Sequence, residues 1–90
     1  MPATPPEELL RRAQDKFDVG ETESALALAR QAIGAGARGP AHILMGKVFM
    51  SERRYDDAER EFADAVRLDP NDAKAARLLA LVRDTRRGGP

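Results

Sequence analysis

His42 is the only histidine in the chain and the only side chain whose ordinary pKa sits near neutrality, so general acid–base chemistry would centre on it. As a base it would need a nucleophile to activate and an acid to orient its ring. Its neighbours are instead apolar (Ala41, Ile43, Leu44, Met45), which suits a packed imidazole with one ring nitrogen on water or a carbonyl. Five carboxylates crowd one stretch, at Asp56, Asp57, Glu59, Glu61 and Asp64, with Arg60 and Arg67 among them. That spacing spreads them along an exposed helix face with the two arginines as partners, and it sets up no acid–base pair. Asp69-Pro70-Asn71-Asp72 is rich in oxygen but lacks the ligand spacing and closing glutamate of an EF-hand, and capping of a helix accounts for it. No Lys-Ser or Lys-Thr pair follows the glycines at 34, 36 and 39, so that stretch reads as a turn and not as a phosphate cradle.

The absence of cysteine removes disulfides, thiol nucleophiles, cysteine–zinc sites and iron–sulfur clusters, and one histidine does not make a histidine-based metal site. The expectation is a non-enzyme without cofactor or metal. Fifteen Lys and Arg balance fifteen Asp and Glu, which takes away the electrostatic case for nucleic acid or an anionic membrane. Arg53-Arg54 and the Arg83, Arg86, Arg87 cluster have no interleaved aromatics for base stacking and read as solubilising surface. No apolar run approaches the roughly 20 residues of a membrane span, and the first residues show no secretory pattern, so a cytoplasmic location without membrane insertion is expected.

The elements that would position any site are helices. Ninety residues make one domain with one core, 42% of them are apolar and 33% charged, and the 16 alanines with Leu, Arg and Glu leave little for strands. Thr4-Pro5-Pro6-Glu7 reads as a capping box with a proline start, opening a helix near Pro5 with Leu9, Leu10, Ala13 and Phe17 on one face, up to Gly20. Thr22 or Ser24 is placed to cap a second helix through Ile33, which the glycines at 34, 36 and 39 end. A third helix is expected from Pro40 to about Ser51 and a fourth from Tyr55 or Asp56 to Leu68, acidic first and basic last as the helix dipole prefers. Asn71 or Asp72 caps a fifth, and Arg86 to Pro90 reads as a frayed end.

The second and fourth helices repeat one another. Ala25, Ala29, Ala32 and Ile33 fall on Ala58, Phe62, Ala65 and Val66 at an offset of 33 residues (58 − 25), and the same shift lays Ala13 on Gly46 and Leu10 on Ile43. In its second copy, His42-x2-Met45-Gly46-x2-Phe49, Tyr55, Ala58-x3-Phe62, Ala65 and Leu68-Asp69-Pro70, the chain resembles the tetratricopeptide repeat, with His42 at the usual tryptophan. The first copy keeps the small residues but has Arg12 and Lys16 where larger apolar groups are usual, and it lacks the Asp-Pro ending.

The resemblance implies an all-α right-handed superhelical stack of five antiparallel helices in a single domain over residues 1–90. Repeat one would cover about 6–39, repeat two about 40–72, and a capping helix about 73–87. It also implies a non-catalytic module that binds a partner protein, as a peptide or amphipathic helix, in a concave groove of inner-face residues. Those are Leu10, Gln14 and Phe17, then Ile43, Leu44, Lys47 and Met50, then Lys74, Arg77, Leu78 and Leu81. Leu44, Met50 and Phe17 would anchor the segment, and Lys47, Lys74 and Arg77 would orient it from the rim. Relatives that grip an acidic carboxyl terminus place Lys and Asn where this chain has Leu10 and Gln14, Asn at Leu44, and Lys and Arg at Lys74 and Leu78; only Lys74 agrees. In so short a stack, Leu10, Leu44, Leu78 and Leu81 would equally serve as core. Two repeats are also few for independent stability, which keeps homodimerisation open as an alternative.

Overall fold

The computed structural model describes residues 3–88. Five helices follow one another: α1 (Pro6–Asp18), α2 (Thr22–Gly34), α3 (Arg38–Ser51), α4 (Tyr55–Leu68) and α5 (Ala73–Arg86). Connections this short require neighbouring helices to run antiparallel. Each helix packs on the one before, and α1 also touches α3. The Cα envelope of 50 × 29 × 15 Å is a slab two helices thick, with α1, α3 and α5 as one layer and α2 and α4 as the other.

The first three connections share one geometry. Each helix ends in a Schellman turn, with a residue of positive φ at Gly20, Gly36 or Arg53 (83°, 108° and 61°). The residue after it, Glu21, Ala37 or Arg54, donates its N–H back to Lys16, Ala32 or Phe49 at 2.8–2.9 Å. The same residue's carbonyl then accepts the first N–H bond of the next helix, from Ala25, Ala41 or Ala58. One residue thus closes one helix and opens the next. Glycine serves at 20 and 36, whereas Arg53 adopts the left-handed conformation with a side chain.

Two expected hydroxyl caps do not form, each for its own reason. Neither Thr22 nor Ser24 caps α2: Thr22 is its first helical residue, and its hydroxyl donates to the Glu52 carboxylate at 3.0 Å. Thr4 does not cap α1 either. Pro6 forces the residue before it out of the helical region, so extended Pro5 (ψ 147°) becomes the N-cap and the box residues fall one position out of register. The third helix begins at Arg38, not at Pro40, with Gly39 and Pro40 inside its first turn, where a missing N–H costs no helical bond. The fourth connection differs: Asp69 is extended, and Asp72 caps α5 by accepting from the N–H groups of Lys74 and Ala75 at 3.0 and 3.2 Å. Arg86 still lies in α5 and Gly88 turns to φ 69°, while Gly89 and Pro90 of the expected frayed end lie outside the described residues.

Close packing depends on small residues at matched places. Ala13, Ala25, Ala29, Ala32 and Ala58 are fully buried. At Gly46 no side chain would fit, because a Cβ there would overlap the ring of Phe62, itself fully buried. Helix α3 lies between α2 and α4 and buries residues all round, from Ala41 through Phe49. By contrast α5 buries only Ala75, Leu79 and Val82. On its far side Arg77, Ala80, Leu81 and Asp84 are exposed.

Candidate functional site

An open cavity of about 340 Å³ lies across the inner layer. Leu10 and Gln14 of α1, Pro40, Ile43, Leu44 and Lys47 of α3, and Lys74 of α5 line it. Six of the eleven expected groove residues are therefore together, and Pro40 joins them, a residue the sequence marked only as a helix start. The other five stand apart from the cavity. Phe17 and Met50 are half-buried against the main core, Leu78 packs on a smaller cluster with Ile43, Ala65 and Ala75, Arg77 is exposed, and Leu81 is 52% exposed.

Burial reassigns the apolar members. Leu44 is 5% exposed and belongs to the main core, so it forms the floor of the groove and is not a free anchor. Ile43, at 9%, is similar. Leu10 remains half-buried and accessible at the rim. On the wall, Lys47 is half-buried, and its pKa is lowered first by that burial and then by the Lys74 ammonium beside it. Gln14 is turned toward Asp18, to which its side-chain amide donates at 2.8 Å.

Several titratable groups outside the groove are engaged within the fold. His42 Nδ1 shares a 2.7 Å hydrogen bond with Glu61, a side-chain partner the sequence did not indicate. Glu61 is accordingly drawn in from the face where sequence spacing put it, and only 15% of its side chain is exposed. With Asp64 these two bring one donor atom each within 4.8 Å of one another, a mixed trio that a single histidine did not announce. Arg67 pairs with Asp64 at 2.9 Å, so each member of the trio already has a protein partner.

Asp56 and Glu59 also depart from the expected pairing with Arg60 and Arg67. They reach across to α5, where Arg83 donates to Glu59 at 3.0 Å and Arg86 bridges Glu59 and Asp56. Arg54 stacks over Phe49, 4.6 Å from the ring centre, and pairs with Asp57. The basic clusters are thus largely neutralised by the chain's own acids.

Arg83 first, and then Arg86, hold the Glu59 carboxyl below the ordinary value of 4.5. A carboxylate with a depressed folded pKa adds stability above its ordinary value, and that stability is lost as pH falls through the lowered folded value. The stability difference between wild type and Glu59→Gln should therefore be complete at neutral pH and disappear in acid. It should also shrink in molar salt, because the pair is solvated. Urea unfolding of both chains from neutral pH into the acid range checks this.

A two-layer stack of antiparallel helices, grooved along its inner layer, is a helical-repeat structure. Residues 16–82 match the model of the tetratricopeptide repeat family, and the chain belongs to that family. Repeats of this kind mediate protein–protein interaction and are non-catalytic. No curated protein matches the chain. None of the helices among the described residues is long and apolar enough to cross a membrane.

Proposed function

We propose that this chain is a non-catalytic binding module that holds a helix or peptide of a partner protein in the groove between α1, α3 and α5. The observation that carries the reading is the cavity itself. Three successive inner helices contribute to it, its floor is apolar at Ile43 and Leu44, and its accessible rim offers Leu10, Lys47 and Lys74. A floor of that kind takes up apolar side chains at helical spacing, and polar groups around it fix orientation.

Selection of a library of displayed helical peptides on the intact chain tests this. Selected peptides should lose about tenfold or more in affinity for Leu10→Glu, since a rim carboxylate would have to be desolvated against the incoming apolar residue. Circular dichroism should confirm that this half-exposed substitution leaves the fold intact. Peptides indifferent to Leu10 would overturn the groove as the site.

Self-association is the competing reading, favoured by the exposure of Leu81 on α5. A mass in light scattering that rises with concentration, and that Leu81→Glu returns to the monomer value, would support it against the peptide groove.

A further inference from the structure

Two like charges converge on the groove wall. Lys47 comes from the middle of α3 and Lys74 from the first turn of α5, and both line the same cavity. A cation at a helix N-terminus faces the positive end of the helix dipole, so Lys74 is unfavourably placed twice, by the dipole and by Lys47. Among the described residues neither lysine has a carboxylate within ion-pair distance; the same holds for the exposed Arg30, Arg38, Arg53 and Arg77, but of these cations only Lys47 and Lys74 line the groove. Burial, and then the neighbouring Lys74 ammonium, hold the Lys47 pKa below its ordinary value. An anion between the two lysines would relieve both.

The rest of the cavity limits what that anion is attached to. Leu10, Pro40, Ile43 and Leu44 supply no side-chain hydrogen-bond partners, and the Gln14 amide is turned to Asp18. A chain end brought here would bury free backbone N–H and C=O groups against hydrocarbon, at a cost its carboxylate would have to overcome. Inside a helix those groups are already bonded, and only the side chain has to be matched. An ammonium is a compact point charge that accepts a carboxylate oxygen from many directions, so two lysines from different helices fit one Glu or Asp side chain.

We propose that the groove selects an acidic amphipathic helix, in which one Glu or Asp side chain seats between Lys47 and Lys74 while an apolar residue one turn away lies over Leu10, Ile43 and Leu44. This deepens the groove reading and rests on it.

The test uses the peptides selected on the intact chain, synthesised with acetylated and amidated ends and titrated by calorimetry. Binders should carry Asp or Glu three or four positions from an apolar residue. Exchange of that acid for its amide should weaken binding about tenfold, the coupling of a partly desolvated ion pair. Lys47→Gln and Lys74→Gln should each weaken the acidic peptide to a similar degree and leave its amide counterpart unaffected. Lys47→Glu together with a peptide in which Lys replaces the acid should recover most of the loss. Both lysines have solvent access, so these variants are expected to fold, and circular dichroism confirms it.

Peptides that depend on Leu10 but are indifferent to the acid and to both lysines would overturn the acidic helix and leave the groove standing. Peptides indifferent to Leu10 as well would overturn both. Binding that requires a free terminal carboxylate, or lysine-dependent binding of phosphatidylserine vesicles in place of peptides, would also overturn it.

Discussion

Phe62→Ala should remove about 3–5 kcal/mol of unfolding free energy, measured as a fall in the urea midpoint. The ring is fully buried and is the largest side chain with that property among the described residues. It occupies the space that the missing side chain of Gly46 leaves on α3, so nothing on that helix can move in to fill the hole. A chain this small has total stability on the order of 5–15 kcal/mol, and the loss should leave a substantial unfolded population. Gly46→Ala probes the same contact from the other side. Alanine gains about 1 kcal/mol of helix propensity over glycine, but overpacking against a ring with no room to turn costs about 1–3 kcal/mol, so the sum should be destabilising. The combination Gly46→Ala with Phe62→Leu should cost less than its two parts added, because the smaller side chain frees the space the new methyl needs. Strict additivity would mean that the two positions do not constrain one another, contrary to their contact.

That contact was legible in the repeat, because a glycine in one helix and a phenylalanine in the next at matched places signal close approach. The five helices were equally legible, since apolar spacing, the Asp72 cap and the proline after Leu68 all act within a few residues. The expected hydroxyl cap of α2 failed for a reason no local pattern carries. Glu21, Ala37 and Arg54 each serve two helices at once, and that sharing leaves no place for a Thr22 or Ser24 cap. The bond between His42 and Glu61 joins residues 19 apart on facing helices, and a run of five carboxylates gives no sign of which one turns inward.

The groove was only half legible. Helix α3 is apolar on nearly every side because it is flanked on both sides, and in such a helix periodicity does not separate a core leucine from a groove leucine. Leu44 belongs to the core for that reason. Lys47 and Lys74 are more informative, since charged side chains have to stay near solvent and so mark where the inner layer is open.

Leu79→Ala should cost about 2–4 kcal/mol, and the cost should appear in α5 alone. Leu79 is 8% exposed and is the largest of the three buried residues of α5, with Ala75 and Val82. Helices α2 and α3 are held from both sides, whereas among the described residues α5 has α4 as its main neighbour. End units of a stack open before the middle does, because they break one interface and not two. Amide hydrogen exchange in residues 73–86 should therefore accelerate about 30- to 800-fold, the factor that corresponds to 2–4 kcal/mol, while the slowest amides of α3 change little. The ion pairs of Arg83 and Arg86 to α4 are solvated and contribute too little to hold the helix once its apolar contact is reduced. Opening of α5 also carries Lys74 away from Lys47, so acidic peptides should lose affinity for Leu79→Ala more than their amide counterparts do. Equal acceleration in α3 and α5 would show instead that the stack unfolds as one unit and that α5 is no weaker than its centre.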